Sequence, residues 1–328
     1  MKLEERKEFG ATWFKVTNSC GFCVELCSRG ASIYQMWLDG KSLLIAEKDP
    51  LKWFSSSGYF GKTIGRVAGR IRNGDLFFEG RHYPLSINGE GCTLHGGAKG
   101  FSFQDFDYEI HSKEDGLEIA FSLLSPNLDN GFPGEVRLKV RYLIAEKEPS
   151  FRIDYAAESD RDTPLSLTSH CYFNLGGYED IGNHSLRLDS KESTKYDENQ
   201  IPLGFERCPK ALCFESLTPL AERLDHPSLM ASKNKGIDHA FRIEGEQEEA
   251  VRLESPLFAL SIKTDFPTVV VYADNYPRER NLLTTGYPEK RHSGLAIEPE
   301  YEVNDFASMT VKEGITKKNF IEYHFERK

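Results

Sequence analysis

Residues 163–177, TPLSLTSHCYFNLGG, are the stretch around which the chain is organised. Read as a strand, it sends successive side chains to opposite faces: Leu165, Leu167, Ser169 and Cys171 to one, Ser166, Thr168, His170 and Tyr172 to the other. His170 then stands among hydroxyls and aromatics rather than in an aliphatic run. Asn174-Leu175-Gly176-Gly177 closes the strand with turn chemistry. A histidine in such a setting titrates near neutral pH and can give or accept a proton. Taken alone, the segment reads more simply as a structural histidine hydrogen-bonded inside a sheet.

The flanking sequence repeats the strand pattern on both sides. WFKV (13–16), FCVELC (22–27), SIYQMWL (32–38) and SLLIA (42–46) are short apolar runs parted by tight-turn residues. DLFFEGRHYPLSI (75–87) predicts a hairpin about Glu79-Gly80-Arg81. Period-two segments fill 104–124 and 134–158, divided by the turn-rich SPNLDNGFPGE (125–135). Beyond the opening stretch, 185–220 mixes strands with loops, 218–232 holds one short helix, and 249–273 holds three more strands. NFIEYHFER (319–327) is the last strand. No fixed-period repeat, low-complexity linker or long helical periodicity interrupts this order. The expectation is an all-β chain: one large antiparallel β-sandwich over residues 1–328 with few short helices.

Composition narrows the function. A net charge of -10 argues against non-specific binding of nucleic acid and fits a small neutral or polar ligand. No apolar run has the length of a membrane span, and the charged N-terminal stretch MKLEERKEFG lacks the apolar core of a signal peptide, so a cytoplasmic location is expected. Seven cysteines, an odd number in a long chain, do not suggest a disulfide framework. Cys20, Cys23 and Cys27 form C-x2-C-x3-C, but no suitably spaced second pair follows, and no metal is expected. Gly61-Lys62-Thr63 would end a phosphate-binding loop only if position 56 were glycine; it is Ser56. Asn183-His184-Ser185 matches a glycosylation sequon that a cytoplasmic chain would not use.

Proton-transfer groups lie far apart in sequence: His95, His170, Asp238, His239 and Glu298. His95 precedes paired glycines that fix a tight loop, and Glu298 directly follows an apolar strand. A Glu of ordinary pKa about 4.3 and a His of about 6.5 form a natural base and acid near neutrality. Only a broad sheet face could gather them. Gly65 and Gly69 beside Arg66 and Arg70 indicate backbone close to a ligand, with one or both guanidiniums turned to it; for Arg66 a surface salt bridge is the simpler reading.

The segments YFGKTIGRVAGRI (59–71), INGEGCTLHGG (87–97), NGFPGEV (130–136), 163–177, IPLG (201–204), GIDHAF (236–241) and GLAIEPE (294–300) together resemble the aldose 1-epimerase family, the galactose mutarotases. They occur in the family's order across almost the whole chain. The resemblance implies a large β-sandwich with a sugar cleft and no metal or organic cofactor, acting on a monosaccharide as a monomer or homodimer. It implies Glu298 as general base and His170 as general acid, with His95, Arg70 and Asp238 holding sugar hydroxyls or supporting that pair. Asn88 and Tyr172 would line the site, and Phe241, Tyr172 or Trp53 could pack on the apolar face of the ring. Ring opening to the aldehyde, rotation about C1–C2 and reclosure need no covalent nucleophile. The chain departs from the family pattern at three positions: Gly69 and Cys92 stand where the family often has Asn, and Glu300 where it has Gln. These departures bear on which sugar is preferred.

Other readings compete. A non-catalytic sugar-binding sandwich would not need Glu298 and His170 together. A glycoside hydrolase could use Glu298 with Asp238 but leaves His170 unexplained. A phosphohexose enzyme would want clustered cations, for which Arg66, Arg70 and Arg72 are candidates.

Overall fold

The computed structural model describes residues 1–328 except 198–201, 245–248, 279–280 and 304. Ile201 of the IPLG segment therefore lies outside the described residues. Within the described residues, a nine-stranded antiparallel sheet forms one layer. It runs from Asp107–Lys113 through Gly116–Ser125, Val136–Ala145, Ser150–Ser159, Lys317–Arg327, Phe258–Thr264, Val251–Glu254 and Ser185–Leu188 to Thr218–Pro219. Its long strands alternate as the sequence predicts: Val136, Leu138, Val140, Tyr142 and Ile144 are buried, while Arg137 and Lys139 face water.

The second layer is made of two sheets. A five-stranded sheet holds Lys2–Glu8, Ala11–Thr17, Phe22–Cys27, Ser32–Leu38 and Lys41–Ser42. A seven-stranded sheet holds, in spatial order, Pro202–Arg207, Glu192–Tyr196, Asp238–Arg242, Thr268–Tyr272, Leu295–Glu300, Tyr172–Phe173 and Leu44–Ile45. They meet where Gln35 Nε2 donates to Leu44 O at 3.0 Å. Aromatic rings join the layers: Phe22 packs on Phe325 at 5.6 Å, Phe14 on Phe121 at 5.8 Å and Phe173 on Tyr323 at 5.7 Å. The β-sandwich expected from the sequence is the fold observed, with short helices at Pro50–Ser55, Pro227–Ala231 and Phe306–Met309.

Residues 163–177 are not one strand. Thr163–Pro164 pairs with Thr310–Val311, Thr168–Ser169 with Thr63–Ile64, and Tyr172–Phe173 with both Leu295–Ala296 and Leu44–Ile45. Pro164 has no N–H to continue a ladder, and the chain bends at His170, where Cys171 N donates back to Ser169 O at 3.0 Å. The predicted alternation survives the bend. Leu165, Leu167 and Cys171 enter the main core, while His170 and Tyr172 face the other way.

Three further expectations are corrected. Arg66 is not at the surface but 1% exposed, because residues 66–68 run beside Ser166 in the interior. Its guanidinium donates to Pro133 O at 2.7 Å and to Ser125 O and Pro126 O at 2.9 Å, so the 125–135 turn is its cage. Residues 218–232 hold a 3-10 turn, Leu220–Glu222, and a separate helix, Pro227–Ala231, because Pro227 can open a helix but not continue one. Trp53 and Phe241 are core residues. Trp53 donates from Nε1 to Phe60 O at 2.8 Å and packs on Trp13 and Tyr34, and Phe241 packs on Phe214.

Candidate active site

The inner strands of the seven-stranded sheet, Thr268–Tyr272 and Leu295–Glu300, are covered on both faces, and the period of two sorts their residues. Val269, Val271, Leu295 and Ile297 belong to the core between the layers. Thr268, Val270, Tyr272, Glu298 and Glu300 turn to the opposite face and line a cleft of about 190 Å³. That is below the ~300 Å³ at which pockets for drug-sized ligands begin, so the cleft suits one small polar molecule. Register holds the two acids in place: Glu298 lies opposite Val270 and Glu300 opposite Thr268. Pro299 between them is tolerated because Tyr172–Phe173 pairs only with Leu295 and Ala296, leaving that side of the strand without a ladder at 299.

His170 reaches the same cleft from the bend in 163–177. Its Nε2 is 3.4 Å from Glu298 Oε2, and the two residues are 5% and 3% exposed. The bend is pinned on both sides, by His170 N donating to Lys62 O and Gly61 N donating to His170 O. Burial lowers His170 to about 3, assisted by the positive charges of Arg278 and Arg70. Burial raises Glu298 well above the usual carboxylate range; Glu300 and Asp238 add to the rise and Arg70 opposes it. Burial thus favours the neutral forms of both groups.

His95 stands beside His170 with its ring at 5.3 Å, edge to face. Its Nδ1 accepts from Gly69 N at 3.2 Å, which leaves the ring proton on Nε2, free to be donated. Gly96, next in the chain, sits with φ +84° against the backbone of Gly65, so close that only a glycine fits. Arg70 enters from the Arg70–Arg72 strand, with Nη2 4.0 Å from Asp238 Oδ2, and both residues line the cleft. Tyr172 lines it too, packed on His170 at 5.1 Å.

Asn88 does not line the cleft. It is exposed and holds Leu94, the residue before His95: its Nδ2 donates to Leu94 O at 3.0 Å, and Leu94 N donates to its Oδ1 at 2.8 Å. Its side chain also meets that of Tyr59, a cleft residue, so Asn88 stands at the edge of the site. Cys92 is likewise absent from the cleft wall, while Gly69 and Glu300 are part of it. His239 turns away to receive its own strand's Asp238 N–H at Nδ1.

The sequence reading missed several wall residues. Tyr59, Tyr196, Tyr272 and Tyr276 line the cleft, as does Arg278, whose guanidinium lies over the Phe60 ring at 4.6 Å and is held by Asp274 and Glu289. The alternation of 268–272 could have pointed to Tyr272. Arg278 sits in a loop and carries no periodic signal.

Among the described residues no group of His, Cys, Asp or Glu is arranged to hold a metal ion, and no helix is long and apolar enough to cross a membrane. Fold and cleft together define a large β-sandwich whose small polar cleft gathers titratable side chains from distant strands. A family model described as Aldose 1-epimerase matches residues 13–322, and the chain belongs to that family. Human galactose mutarotase is 31% identical over 250 residues, which are 74% of this chain and 70% of the human one. Aldose 1-epimerase of Escherichia coli K12 is 29% identical over 305 residues, 87% of this chain and 84% of that one. The crystal structure of a galactose 1-epimerase from Lactobacillus acidophilus NCFM has a TM-score of 0.89, covering 99% of this chain and 98% of that one at 24% identity, and speaks for the fold.

Proposed function

We propose that the cleft interconverts the α and β anomers of a free aldose of the galactose or glucose kind, with Glu298 as general base and His170 as general acid. The observation that carries this reading is the approach of Glu298 Oε2 to His170 Nε2, 3.4 Å apart on one buried wall. Glu298 takes the proton from the C1 hydroxyl, and His170 delivers one to the ring oxygen. The C1–O5 bond breaks, C1 becomes the aldehyde carbon, and rotation about C1–C2 presents its other face. Reclosure returns both protons.

The electrostatics of the cleft favour the opening step. It starts from an ionised Glu298 and a protonated His170 and ends with both neutral, and burial favours the neutral forms. Arg70 stabilises the ionised Glu298 needed at the start. The Nε2 proton of His95 and the Arg70 guanidinium serve as donors to sugar oxygens, and Asp238 as an acceptor. Tyr172 offers a ring face beside His170. A cytoplasmic setting belongs to the same proposal, and all seven cysteines being unpaired is consistent with it.

Polarimetry on freshly dissolved α-D-galactose and α-D-glucose tests the assignment. Wild type accelerates the approach to equilibrium, and Glu298→Gln and His170→Ala each lose about 10²–10⁴-fold in kcat, the usual worth of a positioned proton-transfer group. Full activity in both variants would remove the pair from the mechanism.

A further inference from the structure

Glu300 is a carboxyl group with nothing to hold. It is 3% exposed, lines the cleft two residues beyond Glu298 on the same face, and among the described residues its side-chain oxygens meet no hydrogen-bond or ion-pair partner. Only its backbone oxygen is engaged, by the Thr268 hydroxyl at 2.7 Å. Its carboxyl oxygens keep access to the cleft, and a polar group so placed is available to a ligand that fills it.

Gly69 keeps one side of this corner open: a Cβ there would come within 3.7 Å of Glu300 Oε1 and within 2.3 Å of Val303 Cγ2, which would have to shift. Arg70 and Tyr196 stand near Glu300 on the same wall. The charge around the cleft is acidic. Asp238, Glu298, Glu300 and Glu302 line it, against Arg70, shared with Asp238, and Arg278, shared with Asp274 and Glu289.

We infer that Glu300 is a substrate-contacting, specificity-determining residue that accepts from a donor substituent of the sugar, so that the cleft favours amino-deoxy aldoses carrying an ammonium over neutral aldoses and excludes anionic ones. This rests on the mutarotase reading of the same cleft. Burial raises Glu300 to about 8 against the pull of Arg70. An entering ammonium restores the ionised form by supplying the missing counter-charge. A carboxylate or phosphate on the sugar would instead meet the carboxyl groups of Asp238 and Glu302 on the same wall.

The test compares kcat and KM, by polarimetry, for galactose, 2-amino-2-deoxygalactose, 6-amino-6-deoxygalactose and galacturonate, in wild type, Glu300→Gln and Glu298→Gln. Wild type prefers at least one amino sugar to galactose in kcat/KM. In Glu300→Gln that preference falls about tenfold or more, the worth of one charge-assisted hydrogen bond, and the change lies in KM. Galacturonate gains relative to galactose in the same variant. No amino-sugar preference in wild type, or ratios unchanged in Glu300→Gln, overturns the inference. Glu298→Gln separates the two readings: loss of turnover on every sugar leaves the mutarotase assignment standing whatever Glu300 does. If Glu300→Gln does not fold, Glu300→Asp, which keeps the charge, must keep the order of amino above anionic sugar, and loss of that order overturns the inference.

Discussion

At the scale of single residues, burial sets which protonation state is cheap. Glu300 is pushed up to about 8 by burial, with Asp238 adding and Arg70 opposing. An unfolded glutamate titrates near 4.5, so between these values the folded chain holds a proton that the unfolded chain has released. Stability from this group is complete below the lower value and is lost as pH rises through the upper one. Wild type should therefore lose stability relative to Glu300→Gln from about pH 5 to 8, by up to about 1.4 kcal/mol per pH unit. Denaturant unfolding of both proteins across that range checks it, and parallel curves would mean that Glu300 is ionised in the folded protein. His170 runs in the opposite sense: lowered to about 3, its contribution is lost as pH falls from its ordinary 6.5.

At the scale of elements, the site depends on how strands and turns present side chains. Leu295–Glu300 is buried at every position because one face meets the core and the other the cleft. The turn after Leu94 is fixed by Gly96, where an added Cβ would lie 1.9 Å from Gly65 O at a φ of +84°. Gly96→Ala should destabilise the fold by about 2 kcal/mol or more. It should also lower kcat on every sugar by displacing His95, read from thermal unfolding beside polarimetry. A variant with wild-type stability and rate would show that the turn can relax. Asn88 works at this scale too, by clamping Leu94. Asn88→Ala should cost less in rate than any change at His95 or Arg70, and an equal loss would place it in contact with the sugar.

At the scale of the whole molecule, the two layers are tied together by buried polar contacts as well as by aromatic rings. Arg66 holds the carbonyls of 125, 126 and 133 with its guanidinium, joining the strand before the cleft to the loop that closes the hairpin of the nine-stranded sheet. Arg66→Met removes the guanidinium from all three carbonyls, though Thr163 Oγ1 still donates to Pro133 O and Asp129 N to Pro126 O, and should destabilise by about 3 kcal/mol in urea unfolding. A loss under about 0.5 kcal/mol would be the figure for a surface position and would contradict the burial seen. Arg66 also marks the limit of local reading, since a residue's exposure depends on what passes over it, and here that is a segment 60 residues away. The sequence by itself determined the β-sandwich, because alternation, turn residues and the absence of helical period are local properties. Through the resemblance carried by the ordered motifs it also singled out Glu298 and His170, which the fold brings within 3.4 Å of each other. Only the tertiary structure decided that residues 163–177 are three short strands with a bend at His170, that Asn88 holds Leu94 at the edge of the site, that Trp53 is core, and that Arg278 and Glu300 face the cleft. Those outcomes depend on which strand each segment pairs with and which wall lies opposite, and contacts between residues far apart in the chain leave no periodic trace in it.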